Sequence, residues 1–570
     1  MKKSVLILFF SYIALTSYAQ KRPSFIDQLN KSNAWVDSVY KSLSNKEKIG
    51  QLFMLRAHSD KDRAYADKVA KQIKENNVGG LVFFQGGPVR QAILTNEYQK
   101  LVDVPLMIAM DAEWGLGMRL DSTISYPYQM TLGAIQNNQL IYNMGEQVAK
   151  DFKRIGMHIN FAPTVDVNNN ANNPVINYRS FGENKYNVAD KGIAYMKGMQ
   201  DNGIFTTAKH FPGHGDTDVD SHYDLPKLPF TRARLDTLEM YPFKKLMANG
   251  ATGIMVGHMN IPSLDPTPNL SSSLSRPIVT GILKNDFGFK GLVVSDAMEM
   301  KGAIKYFPNG QADVKALFAG LDVIELSEDT ERAIKMLRKA IRHKEIPVKE
   351  VEEKVKKVLA AKYWMGLNSK KEVSLTNLYN DLNRSESKAL IQQLADASVT
   401  VLKGTNAFPL RNDFVRKTVI LNIGSGSNTT FSNTLKKIKP GATVINIPKT
   451  INEVELGIIR NNMKQYDQII MAIIDSRLRP ASKLDYSVHL TQFISEFSTK
   501  NTIAALFANP YTIAGIPGFE KSASIVVGYQ NMPEIQLSAA KVVLGTHKAS
   551  GRLPVSINAF FKYGDGIQMK

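Results

Sequence analysis

Residues 204–222 read IFTTAKHFPGHGDTDVDSH. The opening seven, Ile204–His210, are apolar or β-branched until a lysine and a histidine close the run, which is the pattern of a buried strand. Residues 209–222 then carry three histidines and three aspartates, spaced by glycines and a proline that allow sharp turns. A strand that is inert along its length and reactive at its carboxyl end is the unit of a parallel α/β fold, whose ligands gather at those ends.

The unit repeats on both sides. Short apolar runs occur at Ile49–Ala57, Val78–Phe84, Leu106–Glu113, His158–Val167, Thr252–Met259, Gly291–Asp296 and Leu321–Leu326, making eight candidate strands. The segments between them have helical spacing. Asp62–Asn77 places Ala66, Val69, Ala70 and Ile73 on one face, and Asn138–Ile155 and Arg232–Asn249 behave likewise. Strands alternating with helices imply parallel pairing through crossover helices. Eight units predict a (β/α)8 barrel. An open doubly wound sheet is the competing arrangement. Polar and charged residues at the ends of nearly every strand favour the barrel, where those ends converge on one mouth.

Two amphipathic helices, Asp329–His343 and Val348–Trp364, are expected to complete the barrel. The polar stretch 368–387 reads as a linker. Beyond it a helix, Lys388–Lys403, leads to apolar runs at Thr418–Ile423, Ala442–Ile447, Gln468–Ile474, Thr502–Phe507 and Ser524–Val527. Five strands with intervening helices predict a three-layer α/β/α sandwich. The organisation is thus a leader over 1–19, a barrel over 20–367, the linker, and a sandwich over 388–570. Gly424-Ser425-Gly426-Ser427 after the first sandwich strand lacks a complete dinucleotide or phosphate-loop pattern and reads as a tight turn.

Composition narrows the class. With 570 residues, 44% hydrophobic and 22% charged, the chain is globular and long enough for more than one domain. Cysteine is absent, which excludes disulfides, thiolate metal sites, cysteine nucleophiles and a lipid anchor on cysteine. The formal charge of +19 suits an anionic neighbourhood or simply a basic soluble protein. No run of five Lys/Arg residues occurs, so no nucleic-acid partner is expected. Lys2 and Lys3, an apolar run Val5–Leu15 and Ser17-Tyr18-Ala19 form the three parts of a secretory leader. The run is shorter than the roughly 20 residues a membrane helix needs. The expectation is an exported protein, periplasmic or secreted, with no integral membrane segment once the leader is removed.

Three readings fit the 209–222 cluster. His214, Asp216 and His222 are residue types that ligate divalent metals, although their spacing matches no helical two-histidine motif. Alternatively, Asp220 and His222 are close enough for the carboxylate to hold the imidazole, fix its tautomer and support its protonated form. A loop held by its own hydrogen bonds is the third. Asp296 closes the apolar strand Val293-Val294-Ser295, where a carboxylate costs desolvation unless it is paired, used, or capping the next helix. Asp111 ends the third strand with the same placement. A carboxylate facing a separate proton donor is what retaining glycoside hydrolysis requires, and a histidine near its ordinary pKa of about 6.5 suits the donor's double role.

Lys209–His222, continuing to Leu225-Pro226, resembles the signature of glycoside hydrolase family 3 β-N-acetylhexosaminidases of the bacterial cell-wall-recycling type. The segment Asn173–Gly182 resembles that family's substrate-binding arginine segment. Ser295-Asp296 with Met298 and Met300 resembles its nucleophile strand, and Met110-Asp111-Ala112-Glu113 its sugar-binding aspartate strand. The resemblance implies that Asp296 is the nucleophile, His222 the general acid/base and Asp220 its orienting partner. It assigns Asp111, Arg119, Arg179, Lys209 and His210 to the sugar hydroxyls and the acetamido group, with His214 and Asp216 shaping the loop. The chain departs from the family at Glu113-Trp114-Gly115-Leu116-Gly117-Met118-Arg119, where Trp114 replaces a glycine in a Gly-Gly-Arg run and reshapes the pocket wall.

The implied activity is release of terminal β-linked N-acetylglucosamine from peptidoglycan fragments or chitooligosaccharides through a covalent glycosyl-enzyme, with no cofactor or metal. A family 3 β-glucosidase or β-xylosidase, a metal-dependent hydrolase and a catalytically inactive cell-wall-fragment-binding protein are the competing activities.

Overall fold

A computed structural model describes residues 23–404, 408–410 and 416–568. The proposed leader lies outside the described residues. Eight strands alternate with helices over the first two-thirds of the chain: β1 (Phe53–Ala57), β2 (Gly80–Phe83), β3 (Met107–Met110), β4 (Ile159–Asn160), β5 (Phe205–Phe211), β6 (Gly253–Val256), β7 (Leu292–Ser295) and β8 (Ile324–Glu325). They pair in parallel in the order β7-β6-β5-β4-β3-β2-β1-β8. Val294 bridges Val323, and Ser295 N donates to Val323 O at 3.0 Å, so the residues leading into β8 meet β7 and the sheet curls into a barrel. All eight expected strands are present.

Their ends carry the local chemistry. The expected strand at Ile49 begins only at Phe53, because Ser44 and Glu47 form a reciprocal capping box that starts a helix over Asn45–Gly50. The fourth strand keeps only Ile159–Asn160, since cis Ala162-Pro163 brings a residue that cannot donate to the ladder, yet the segment stays buried through Val167. Arg232–Asn249 forms two helices, Arg232–Thr237 and Tyr241–Ala248, the second with Pro242 in its first turn.

The floor of the barrel is sealed by aromatics. Phe205 at the start of β5 meets Phe25 edge-on at 5.3 Å and Trp364 at 6.1 Å. Trp364 ends the helix Val348–Trp364, and its indole N–H donates to Pro23 O.

Residues 370–383 are docked rather than extended. Arg154 bonds Asp381 at 2.7 Å, and Asn96 exchanges two bonds with Val373. The second domain is a six-stranded sheet built from β9 (Thr400–Lys403), β10 (Thr418–Ile423), β11 (Thr443–Ile447), β12 (Gln468–Ile474), β13 (Thr502–Phe507) and β14 (Ser524–Val527), in the order β11-β10-β12-β13-β14-β9. Apolar clusters cover both faces, giving the three layers. β9 falls inside the expected helix Lys388–Lys403. The helix ends at Ser398, where Val399-Thr400-Val401 begins a β-branched run, and β9 adds antiparallel to β14. Gly424, at φ +91°, makes the turn after β10.

The sandwich touches the barrel at the loops following β3 and β4. Gln530 accepts from Tyr128 N at 2.8 Å, and Glu183 holds Ser556 through its N and Oγ. No helix among the described residues is long and apolar enough to cross a membrane. Because the aromatic floor lies at the end opposite the strands' carboxyl termini, Trp364→Ala is expected to cost about 3–5 kcal/mol in stability. Denaturant unfolding measures the loss, and the catalytic constants per folded molecule should be unchanged.

Candidate active site

The carboxyl ends of β3, β4, β5, β7 and β8 meet at one mouth, and nearly every residue singled out by sequence is there. Asp111 and Glu113 follow β3, and Lys209 and His210 lie near the end of β5. Lys209 Nζ reaches Asp111 Oδ1 at 2.7 Å and Glu113 Oε1 at 3.0 Å. Arg119 donates to the other Asp111 oxygen at 2.7 Å. Arg179, in a turn after β4, grips Glu113 through Nε and Nη2 at 3.0 and 2.6 Å. Three cations and two carboxylates therefore form a continuous network. Lys209 and Glu113 are almost wholly buried, while Asp111, Arg119 and Arg179 keep 15–17% of their side-chain surface open.

That partial opening is where a ligand hydroxyl can bond. Burial favours neutral carboxyls, but Arg179 and Lys209 overcome it and hold Glu113 at about 2. Asp111 is likewise held below its ordinary range, against burial, by Lys209 and Arg119. Both carboxylates are ionised acceptors at neutral pH.

The Arg179 turn is fixed from the second domain. Asn177 adopts φ +39°, its backbone N donates to Asn168 Oδ1, and its side-chain oxygen accepts from Asn509 of the sandwich. Asn168 donates in turn to the Tyr511 hydroxyl at 3.0 Å. Trp114, Tyr128 and Tyr178 form an aromatic wall beside the turn, with centroid distances of 4.7 Å (Trp114–Tyr128) and 4.9 Å (Tyr128–Tyr178). The tryptophan that departs from the family pattern is part of this wall, and it leaves Arg119 on Asp111.

His210 points its Nδ1 at Asp166 Oδ2, 2.7 Å away, and Asp166 also accepts from the backbone N of His210 and of His214. Burial is opposed by these contacts, which keep Asp166 below its ordinary value.

Asp296 follows β7. Its Oδ1 accepts from Ala297 N at 2.8 Å, and the next helix starts only at Lys301 after Met300, so it is not that helix's cap. Burial opposes its ionisation, but the surrounding His210 and His258 and the Ala297 N–H outweigh it and hold Asp296 below the usual carboxylate range. On the facing loop, Asp220 Oδ1 accepts from His222 Nδ1 at 2.7 Å and from His222 N at 2.9 Å. The Asp220 bond raises the imidazole above its ordinary value against its partial burial, and Asp296 adds to the effect. The His222 side chain is 58% exposed. Lys301 N and Gly302 N donate to the His222 and Ser221 carbonyls, tying this loop to the segment after Asp296. A low carboxylate and a raised imidazole on facing loops are the chemical types that can attack and donate a proton.

The three candidate metal ligands are not assembled. His214 is buried, with its ring nitrogens on Thr217 and Ser221, and burial pushes it down to about 4. Asp216 pairs with Arg234, and His222 with Asp220. Among the described residues no group of three or more His, Asp or Glu is arranged to hold a metal.

Four residues were not given a site role from sequence: Glu113, Asp166, His258 and Glu325. Each is a titratable residue at or near the end of an apolar strand run, which is the same signal that marks Asp111 and Asp296. His258 bonds Ser273 Oγ and Ala297 O, so it braces the loop that carries Asp296.

The family model described as the glycosyl hydrolase family 3 N terminal domain matches residues 44–361. Beta-hexosaminidase A of Pseudoalteromonas piscicida is 29% identical over 378 residues, 61% of this chain and 63% of that relative, so less than two thirds of its length is spanned. The beta-N-acetylglucosaminidase/beta-glucosidase of Cellulomonas fimi is 24% identical over 404 residues, 69% of this chain and 71% of that protein. A solved structure of a glycoside hydrolase family 3 beta-N-acetylglucosaminidase from Paenibacillus sp. str. FPU-7 superposes with a TM-score of 0.77 at 29% identity, covering 91% of this chain and 99% of the other. The family match covers more than half of the chain and contains every residue of the mouth described above, and the protein belongs to glycosyl hydrolase family 3.

Proposed function

We propose that the protein is a retaining, exo-acting β-N-acetylglucosaminidase that removes terminal β-linked N-acetylglucosamine from peptidoglycan fragments or chitooligosaccharides outside the cytoplasm. The observation that carries the proposal is the pairing of a buried, ionised Asp296 with the Asp220-supported His222 on the facing loop. Likeness to relatives named for N-acetylglucosaminidase or hexosaminidase activity supports the choice of sugar. The leader-like residues 1–19 support export.

In this mechanism the terminal sugar enters the mouth and its hydroxyls bond Asp111, Lys209 and the arginines. His222 donates its proton to the leaving oxygen while Asp296 attacks the anomeric carbon, forming a covalent glycosyl-enzyme. The neutral imidazole then takes a proton from water, which displaces Asp296 and leaves the configuration retained. Asp220 keeps the imidazole oriented and supports its charged form in both steps. Attack by the substrate's own acetamido oxygen would need no enzymic nucleophile, so trapping distinguishes the two schemes.

The Cellulomonas relative's double name makes β-glucoside hydrolysis the second reading. Release of nitrophenol from the β-N-acetylglucosaminide and the β-glucoside at equal concentration decides between them, and faster turnover of the glucoside would overturn the sugar assignment.

Asp296→Ala is expected to abolish turnover, and a fluorinated sugar should add its mass to the Asp296 peptide of the wild type. An unmodified Asp296 under turnover would refute the covalent scheme. His222→Ala should slow kcat by about 10²–10⁴-fold on a sugar leaving group, the usual range for a positioned general acid. Asp220→Asn removes the charge that raises His222. The free enzyme needs His222 protonated, so the alkaline limb of kcat/KM should move to lower pH in this variant. An unmoved limb would remove Asp220 from the mechanism.

A further inference from the structure

Glu325 ends β8 and is 3% exposed. Its backbone is locked to the nucleophile strand: its N donates to Ser295 Oγ at 2.8 Å, and its carbonyl accepts from Met298 N at 2.9 Å. Asp111, Asp296, Lys209 and Arg56 are near enough to act electrostatically on its carboxyl. Neither cation is free for it, since Lys209 is held by Asp111 and Glu113, and Arg56 pairs with Glu299. Glu325 Oε2 is buried and has no hydrogen-bond partner. An unmatched buried polar atom is destabilising, and such an atom beside a reactive group calls for an explanation.

Other buried carboxyls that leave an oxygen unmatched have structural partners elsewhere. Asp313 bonds Ser327, and Asp151 pairs with Arg384. Glu325 has no such partner, and the groups around it belong to the site or its rim. Burial, and then the carboxylates of Asp111 and Asp296, push its carboxyl well above the ordinary range, which favours the protonated form. The mouth therefore contains ionised acceptors in Asp111, Glu113 and Asp296, and one carboxyl that can donate.

We infer that Glu325 is a substrate-positioning residue on the floor of the sugar site, donating a hydrogen bond from its carboxyl O–H to a hydroxyl oxygen of the terminal sugar beside the groups that Asp111 and Lys209 hold. A sugar hydroxyl that donates to Asp111 still has lone pairs to satisfy, and a neutral donor serves them without placing a further negative charge against Asp296. This assignment rests on the site taking a pyranose sugar and not on which one.

Glu325→Gln keeps a donor and cannot ionise, whereas Glu325→Leu keeps the bulk and loses the bond. Both are compared with wild type for kcat/KM on whichever aryl glycoside, the β-N-acetylglucosaminide or the β-glucoside, the wild type prefers, alongside Tm and inhibition by the free sugar. Preference for the glucoside overturns the N-acetyl assignment and leaves this comparison intact. The expected result is Glu325→Gln within about threefold of wild type, and Glu325→Leu about tenfold or more lower with proportionally weaker sugar inhibition. Loss of an unmatched buried polar group should leave the Tm of Glu325→Leu equal or higher. If the leucine variant does not fold, Glu325→Met is read in its place. Wild-type kcat/KM in the apolar variant, or an equal loss in Glu325→Gln, overturns the inference.

Discussion

The site depends on the buried lysine of β5. Lys209 Nζ is the atom at which the two carboxylates of the loop after β3 converge, and through Glu113 it is linked to Arg179 of the loop after β4. Separately, each of these charges would be costly in a nearly dry barrel mouth. Together they satisfy one another and hold two loops in register with β5. The network is not fully closed, because Asp111, Arg119 and Arg179 each retain some exposed surface. A sugar hydroxyl can therefore join it without breaking an ion pair, and the geometry is set before the ligand arrives.

The second domain contributes by bracing that network. Its Asn509 and Tyr511 hold Asn177 and Asn168, which shape the turn presenting Arg179. A turn with φ +39° at a non-glycine residue needs external support, and the sandwich supplies it. Packing between domains is thus converted into the position of a guanidinium. The aromatic wall of Trp114, Tyr128 and Tyr178 lies along the same seam, where Tyr128 donates from its hydroxyl to Leu478 O.

Protonation states are divided by neighbourhood and not by residue type. Asp296 and Glu325 are both carboxyls on adjacent strands at one mouth, yet one is held below its ordinary range by imidazoles and a backbone N–H, and the other is pushed well above it by burial and two carboxylates. His222 is raised by Asp220, while His214, eight residues earlier, is forced neutral by burial. The same residue types are thus pushed in opposite directions within one mouth by what surrounds them.

Much of this was legible in the sequence, because a strand's interior and its end differ in composition. The eight barrel strands and five of the six sandwich strands follow from apolar runs, and Asp111, Lys209, His210 and Asp296 stand out as polar residues closing them. Asp220 and His222 are close enough in the chain for their bond to be anticipated. What sequence could not supply is partnership across the fold. Glu113 with Arg179 is 66 residues apart, and His210 with Asp166 is 44. The antiparallel β9 was hidden because a β-branched run continues directly from a helix. Sequence alone determined which side chains are titratable and at which strand ends they sit. The tertiary structure decided which charges meet and which are left without a partner, as with Glu325. Ion pairing and desolvation depend on distances of a few ångströms between strands that only barrel closure brings together.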